Sequence, residues 1–187
     1  LIKTDSLGTY IRSLKIGEHV STIASDGKKL YISGNYSDSI KWNQKVYKTG
    51  YQGTYSNCWG VFLGSLDSNL NKQWFYSPKN KITTPKNTSG TAVFYNAIYD
   101  KAFLYFSGGM SLPIEINNQS ISPTLASNGF YNSDILILKM DLLGNPLWAR
   151  NAGTDRGVVM SMSVFPEKHL FLGGSFIGTF KLGQFVI

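Results

Sequence analysis

Five carboxylates of this 187-residue chain are candidates for acid–base catalysis, namely Glu18, Asp38, Glu115, Asp134 and Asp155. A glycoside hydrolase needs two carboxyl groups about 5–10 Å apart across a cleft, where one donates a proton and the other acts as nucleophile or base. None of the five lies in a recognisable catalytic motif. We therefore expect no catalytic residue here, with the open alternative that the chain is part of a larger enzyme whose catalytic residues lie elsewhere.

The nucleophiles and metal ligands of the sequence lead to the same expectation. No serine occupies a Gly-x-Ser-x-Gly elbow, and the single cysteine, Cys58, has no identifiable activating base near it in sequence. His19 and His169 have no partners at the spacing of metal ligands. Calcium-loop and phosphate-binding motifs do not occur. We expect no metal and no cofactor.

Aromatic residues form one candidate binding surface. Trp42 begins a stretch rich in tyrosine and lysine that includes Tyr47, Tyr51 and Tyr55. Exposed aromatic rings among flexible polar residues are a common platform for sugars or protein partners. These four residues are therefore predicted to bind a ligand if they are exposed, and the alternative is a locally packed loop.

Charge and composition bear on two further classes of protein, those that bind nucleic acids and those that span a membrane. Lys and Arg total 18 against 11 Asp and Glu, which gives a net charge of +7. Only Arg12, Arg150 and Arg156 are arginines, and proteins that read nucleic acids rely on arginine. We interpret the lysines as solvated residues of turns and loops, so a nucleic-acid partner is not expected. No run approaches the roughly 18 apolar residues of a membrane span.

Internal repeats are the main feature of the sequence. Three twenty-residue windows, 23–42, 97–116 and 163–182, align without gaps and share a glycine at Gly34, Gly108 and Gly174. Each window predicts two strands around a tight turn. The second strands are continuously apolar, which is typical of strands covered on both faces. The shared glycine indicates a positive φ or a close backbone approach.

A second hairpin follows the first in each copy. Its turn begins with an aspartate, whose side chain bonds nearby backbone N–H groups in turns of this kind. In the fullest copy the turn is Asp141 to Asn145 with Gly144 inside it, and the return strand carries Trp148. The copy before it matches this pattern at Asp67 and Trp74, with Asn71 in place of the glycine. The N-terminal copy matches it at Asp5 and Gly8, with Arg12 in place of the tryptophan.

Two hairpins per copy make one four-stranded antiparallel sheet, and a sheet that is apolar on both faces must stack on its copies. We therefore predict an all-β fold of β-propeller blades, with a sandwich or a solenoid as the alternatives. The predicted divisions are a half blade at 1–14, blades at 20–76 and 92–150, and a half blade at 158–187. Because propellers have about four to eight blades, we expect a partial propeller from a longer chain, with a ring of three as the alternative.

The stretches 138–153 and 170–183 resemble the SBBP-type bacterial β-propeller repeat, in which a strand is followed by Lys-x-Asp-x-x-Gly-Asn, Leu-Trp and a Gly-rich apolar strand. The resemblance implies a propeller in a secreted or cell-surface bacterial protein. Its composition is similar to versions from Bacteroidota, where such propellers often precede a sorting domain for type IX secretion. The resemblance implies no activity.

These observations predict a non-catalytic interaction scaffold whose partner is a protein or a glycan, including other subunits of a surface or secretion assembly. The expected contact surface consists of predicted loops at 43–58, 77–90 and 117–133. A carbohydrate-binding propeller that uses the exposed loop aromatics is the alternative.

Overall fold

A computed structural model describes residues 1–49, 59–80, 92–125, 132–154, 156–165 and 169–186. Within these ranges the chain forms strands and no helix, so no helix is present that could cross a membrane. The all-β expectation is confirmed. In chain order the strands are β1 Ile2–Thr4, β2 Tyr10–Ser13, β3 His19–Ser25, β4 Lys29–Tyr36, β5 Ser39–Trp42, β6 Lys45–Lys48, β7 Gly60–Asp67, β8 Lys72–Tyr76, β9 Lys79–Asn80, β10 Ala92–Tyr99, β11 Phe103–Met110, β12 Ile114–Ile116, β13 Gln119–Ile121, β14 Asp134–Asp141, β15 Pro146–Ala152, β16 Arg156–Val164, β17 Leu170–Ile177, β18 Lys181–Leu182 and β19 Phe185–Val186.

Two four-stranded antiparallel sheets form the centre of the molecule, as the repeat predicts. Sheet one has the order β3-β4-β7-β8, and sheet two has the order β10-β11-β14-β15. A shift of 74 residues carries β4 onto β11 and β7 onto β14. The register is repeated as well, because Lys29 pairs with Asp67 and Phe103 pairs with Asp141.

A two-stranded hairpin lies on each side of these sheets. The N-terminal hairpin, β1–β2, repeats the pairing and the bulge of β14–β15. The C-terminal hairpin, β16–β17, repeats β3–β4 with one change. Val164 pairs with Leu170 across a turn one residue longer than the turn between Ser25 and Leu30. The ungapped alignment is therefore wrong by one residue along β16.

Shorter hairpins follow the second strand of each copy, and in sheets one and two they connect it to the third strand. β5 pairs with β6, β12 pairs with β13 and with β9, and β18 pairs with β19. The predicted surface loops 43–58, 77–90 and 117–133 include β6, β9 and β13, so these short stretches are strands and not loops. Residues 50–58, 81–90 and 126–131 of the same segments lie outside the described residues. Short strands escaped prediction because two to four residues carry too little alternation to be recognised.

Three apolar clusters hold the sheets in a stack. Alternate residues of sheet one, such as Tyr31 and Leu63, pack against sheet two, while their neighbours Ile32 and Phe62 pack towards the N-terminal hairpin. The other face of sheet two packs against the C-terminal hairpin, where Ile137 is buried. The first strands β3, β10 and β16 are neighbours in that order.

Burial differs sharply between equivalent strands. Tyr31 and Tyr105 are 0% and 3% exposed, whereas Phe171, at the same position of β17, is 56% exposed. The expectation that this apolar strand is covered on both faces holds for β4 and β11 and is wrong for β17. Among the described strands, β4 and β11 each have partners on two sides, and β17 pairs only with β16.

The shared glycine permits a close backbone approach. A Cβ on Gly34, Gly108 or Gly174 would collide with the carbonyl oxygen of His19, Val93 or Val158, each just before the bulge in the neighbouring strand. None of the three has a positive φ. Of the two predicted roles, the structure therefore shows the close approach.

Candidate functional site

Trp42 belongs to the core, so of the two interpretations left open by the sequence, an exposed platform and a locally packed loop, the packed one is confirmed for this residue. Hairpin β5–β6 folds over one face of sheet one, and the alternation of β5 turns Ile40 and Trp42 inward. Trp42 is 3% exposed, with ring centroids 5.2 Å from Phe75 and 6.4 Å from Phe62. A Cβ on Gly64 would overlap the indole ring, so glycine makes room for it. Trp42 therefore offers no exposed ring to a ligand.

Tyr47, the described tyrosine of the predicted platform, packs with the core beside Trp42. Tyr47 is half-buried, and its ring centroid lies 4.1 Å from that of Phe75. Lys45 places its ammonium group 4.9 Å from the Tyr47 ring. Tyr51 and Tyr55 lie outside the described residues. The described part of the platform is thus an extension of the core.

The repeated aspartates form one motif, the Asp turn, which spans the five residues that begin at Asp5, Asp67 or Asp141. In each, one carboxylate oxygen accepts the backbone N–H groups two and four residues ahead, at 2.8–2.9 Å. The fourth residue has a positive φ, which is 83° at Gly8 and 90° at Gly144. These carboxylates therefore stabilise the turns to which they belong.

The Asp turn that begins at Asp67 differs from the sequence alignment at the glycine position. Leu70, with a φ of 61°, takes the position of the glycine. Asn71 is instead the equivalent of Asn145, and both donate their side-chain amide to the second aspartate oxygen at 2.8 Å. The match of Asn71 to the glycine is therefore wrong by one residue. The burial of the Leu70 side chain, which is 3% exposed in the core of sheet one, offsets the cost of its left-handed backbone.

Hydrogen bonds lower the pKa of each Asp-turn carboxyl. The backbone N–H of Thr9 has the largest effect on Asp5, and the backbone and side-chain N–H groups of Asn71 have the largest effects on Asp67. Burial raises the pKa of Asp141, but the bonds from Asn145 and the turn backbone outweigh it. All three carboxyls are therefore stabilised in the ionised form by bonds that exist only in the folded turn.

In the first two copies, the residue seven positions after the aspartate bonds to the Asp turn of the next sheet. Trp74 of sheet one donates its indole N–H to the carbonyl oxygen of Leu142 at 3.1 Å, in the Asp turn of sheet two. Arg12, at the same position of the N-terminal hairpin, donates to the carbonyl oxygen of Asn69 at 2.6 Å. Arginine thus makes the same kind of link as tryptophan, which the sequence pattern did not reveal.

Asp134, a catalytic candidate by sequence, is fully buried. It accepts the N–H and hydroxyl of Thr124 at 2.9 and 3.1 Å, the amide of Asn151 at 3.0 Å and the N–H of Thr154 at 3.1 Å. Four donors on one carboxylate fix the segments on either side of β14. This arrangement assigns Asp134 a structural role, because its carboxylate holds three segments of the chain together.

The other candidate carboxylates lie on separate elements. Glu18 accepts hydrogen bonds from the backbone N–H and hydroxyl of Ser37, and Glu115 on β12 is 3.7 Å from the ammonium group of Lys79. Asp38 is exposed in the turn before β5. Asp155 lies outside the described residues.

The two histidines likewise lie apart, on β3 and next to β17. His19 lies beside Trp59 with ring centroids 5.5 Å apart, and His169 is exposed next to β17. Cys58 is outside the described residues. Across the part of the chain that the structure describes, no group of three His, Cys, Asp or Glu residues is placed to hold a metal ion.

A cavity of about 470 Å³, the Arg156 cavity, opens where β10 and β11 lie beside β16 and β17. Its wall contains Tyr95, which is 50% exposed, the hydroxyl-bearing Ser133 and Ser175, and Arg156. Arg156 is the only charged residue among the described residues of this wall. The backbone behind it is fixed, since the N–H of Gly157 donates to the carbonyl oxygen of Ser133 at 2.8 Å.

The cavity was not predictable from the sequence because its wall combines residues of two successive copies with the segment between them. The available signal was that Arg156 is one of three arginines among eighteen cationic residues, and the guanidinium group suits the recognition of carboxylates and phosphates. No protein-family model matches the chain, and a search of the curated proteins returns no match.

Proposed function

We propose that the chain is a non-catalytic interaction scaffold, built as a segment of a β-propeller in a secreted or cell-surface bacterial protein. The observation that carries the architecture is the stack itself. Sheets in the same register pack face to face, with their first strands side by side. A radial arrangement of four-stranded sheets brings first strands together around one axis. The resemblance to bacterial propeller repeats supports the location.

The use of the acidic residues supports a scaffold without catalysis. Asp5, Asp67 and Asp141 recur in the sequence, and their oxygens are bonded within their own turns. Asp134 is buried with four donors. Residues that recur in every copy and satisfy only local backbone groups build the fold, because a catalytic group must leave an oxygen free for its substrate.

The Arg156 cavity supplies the contact surface of this scaffold. Arginine provides a planar fork that binds a carboxylate with two parallel hydrogen bonds. Tyr95 adds an exposed aromatic face, and the net charge of +7 steers acidic partners towards the protein. The best-fitting partner is therefore an acidic peptide segment of another protein. The carbohydrate alternative has less support, since Trp42 lies in the core and Tyr47 is half-buried, while Tyr51 and Tyr55 lie outside the described residues.

Arrays of acidic peptides and of glycans test this proposal on the wild-type chain and two variants. We expect acidic peptides to bind the wild type, and Arg156→Ala to weaken their binding by about tenfold or more, as for a central interface arginine. Arg150→Ala is the matched control, because Arg150 is exposed on β15 and outside the cavity wall. Glycan binding in place of peptide binding, or an equal loss in both variants, would contradict the proposal.

A further inference from the structure

The Arg156 cavity lies where the second copy of the repeat has a glycine in place of an asparagine. Strand pairing puts Asn35 of β4 and Gly109 of β11 at the same position of the two sheets. Asn35 is 6% exposed, and its side-chain amide donates to the carbonyl oxygens of Gly60 at 3.4 Å and Ala92 at 3.0 Å. Gly109 is part of the cavity wall. The cavity therefore occupies the place of a side chain that joins sheet one to β10.

The two acceptors of that asparagine amide have equivalents at this end of the cavity. Asp134 and Gly157 correspond to Gly60 and Ala92 in the strand pairing. The carbonyl oxygens of Asp134 and Gly157, the floor carbonyls, lie 3.7 and 3.9 Å from the position that a Cβ on Gly109 would take. A carbonyl oxygen has two lone pairs, so it can accept a further N–H group beside a strand bond. The floor carbonyls are thus placed to accept N–H groups from a ligand.

The rest of the wall favours a ligand that is anionic at one end and apolar at the other. Val93 and Val158 contribute half-buried apolar side chains, and Arg156 supplies the only charge among the described wall residues. Tyr95, the extra residue of the bulge in β10, adds a ring that is 50% exposed. Bulges re-aim side chains and are common beside binding sites. Because β10 has a first strand on each side, β3 and β16, the exposed ring does not result from a missing neighbouring strand.

The last residue of a peptide chain combines all of these features. Its backbone N–H can donate to the floor carbonyls, its free carboxylate can accept from Arg156, and its side chain can cover Val93 and Val158. An internal aspartate or glutamate uses its side chain for the carboxylate and leaves no apolar group for the two valines. Capture of a C-terminal carboxylate is a recurring mode of peptide recognition. The volume of about 470 Å³ lies within the range of about 300–1,000 Å³ of small-ligand sites.

We propose that the Arg156 cavity binds the C-terminal residue of a partner protein, and that this residue has an apolar side chain. Arg156 binds the terminal carboxylate, and the floor carbonyls accept the last backbone N–H. The inference rests on the proposed function, because it specifies which carboxylate of the partner the scaffold recognises.

A set of labelled peptides tests which carboxylate is recognised. The parent peptide has fluorescein at its N-terminus, one glutamate in its middle and a C-terminal leucine with a free carboxylate. Three analogues have an amidated C-terminus, glutamine in place of the glutamate, or serine in place of the leucine. Fluorescence anisotropy on the wild-type chain gives the Kd of each peptide.

The expected losses differ between the analogues. Amidation should weaken binding by about tenfold or more, because it removes hydrogen bonds between two charged groups. The serine analogue should bind about tenfold more weakly, because it loses the burial of a leucine side chain. The glutamine analogue should bind less than about fivefold more weakly, as for the loss of an exposed ion pair.

Two substitutions at Gly109 test where the peptide binds. Gly109→Asn introduces the residue of the equivalent position in sheet one, whose amide would take the floor carbonyls, and we expect the parent peptide to bind at least about tenfold more weakly. Gly109→Ala is the matched control, because its Cβ would come no closer than 3.6 Å to the described atoms and the φ of Gly109 is not positive. Its Kd should stay within about twofold of the wild type. Thermal unfolding of both variants checks that they fold.

The arginine provides a test that does not depend on filling the cavity. In Arg156→Ala the effect of amidation should disappear, because the group that binds the carboxylate is absent. In Arg150→Ala, outside the cavity wall, amidation should still weaken binding by about tenfold or more.

The outcomes separate this inference from the proposed function. If the glutamine analogue loses binding and the amidated one does not, an internal acidic side chain is the ligand, so this inference falls and the acidic-peptide scaffold stands. If neither change weakens binding, no carboxylate is recognised and both fall. Equal binding of the leucine and serine peptides, a folded Gly109→Asn that binds like the wild type, or an amidation effect that persists in Arg156→Ala would overturn this inference alone. If no peptide of the set binds, this inference falls and the arrays decide the scaffold.

Discussion

The contact between Trp74 and Gly144 allows a quantitative test of how adjacent sheets are joined. Gly144 has a φ of +90°, and a Cβ there would lie 2.6 Å from the indole ring of Trp74. Gly27 has a φ of +86°, and no described atom lies within 4 Å of its Cβ position. The two glycines therefore share the same backbone strain and differ in whether an aromatic ring packs on them.

The expected magnitudes follow from that difference. An alanine in the left-handed conformation costs about 1–2 kcal/mol, and this is the full expected cost of Gly27→Ala. Gly144→Ala has the same cost and must also displace a packed ring, which adds about 1–3 kcal/mol. We therefore expect Gly144→Ala to lower the free energy of unfolding by about 1–3 kcal/mol more than Gly27→Ala.

Urea unfolding followed by circular dichroism, at one protein concentration, measures both costs. In a Trp74→Ala background the extra cost of Gly144→Ala should disappear, because the ring that the new methyl group would meet is absent. The reasoning is refuted if the two glycine variants cost the same in the wild type, or if the extra cost survives in the Trp74→Ala background.

Two further changes test the aromatic core and the Asp turns. Trp42→Ala should lower the free energy of unfolding by about 3–5 kcal/mol, because the side chain is 3% exposed. Leu143→Ala, at a side chain 73% exposed, should change it by less than about 0.5 kcal/mol, and equal effects in urea unfolding would contradict the burial of Trp42. The pKa values of Asp5, Asp67 and Asp141 are lowered by folding, so their stabilisation is present above about pH 4 and is lost as the pH falls through the folded-state values. The melting temperature should therefore decrease when the pH is lowered below about 4, and the decrease should be smaller in Asp141→Asn than in the wild type. An equal decrease in both proteins would show that the turn bonds do not stabilise the ionised carboxyl.

The pairing within each sheet could be predicted from the sequence because the repeat constrains every position of a strand. An offset of 74 residues that keeps the apolar pattern of β4 and β7 must also keep their register, since a slip of one residue would move every side chain to the other face. The aspartates were equally predictable, because an aspartate before glycine or asparagine bonds the N–H groups ahead of it whatever packs around the turn.

Trp42 shows why a binding site is harder to predict. Its neighbourhood is rich in tyrosine and lysine, which suggested an exposed loop, yet Ser39 and Lys41 face outward while Ile40 and Trp42 face inward. That alternation was visible in the sequence but spans only four residues. The alternation could not reveal that hairpin β5–β6 folds back over sheet one, where Gly64 leaves room for the indole ring of Trp42.

Burial in a repeated fold depends on the neighbouring copy as well as on the residue. Tyr31, Tyr105 and Phe171 occupy one position of the repeat, and only the first two are buried. Tyr31 is buried because residues of sheet two pack on its face of sheet one. The same argument applies to the tryptophans of the repeat, because Trp74 donates to the carbonyl oxygen of Leu142 in the next Asp turn, whereas Trp148 packs beside Tyr105 and the apolar cluster of Ile135 and Ile137. Equivalent residues with unequal burial therefore report which sheet faces have a neighbouring sheet among the described residues.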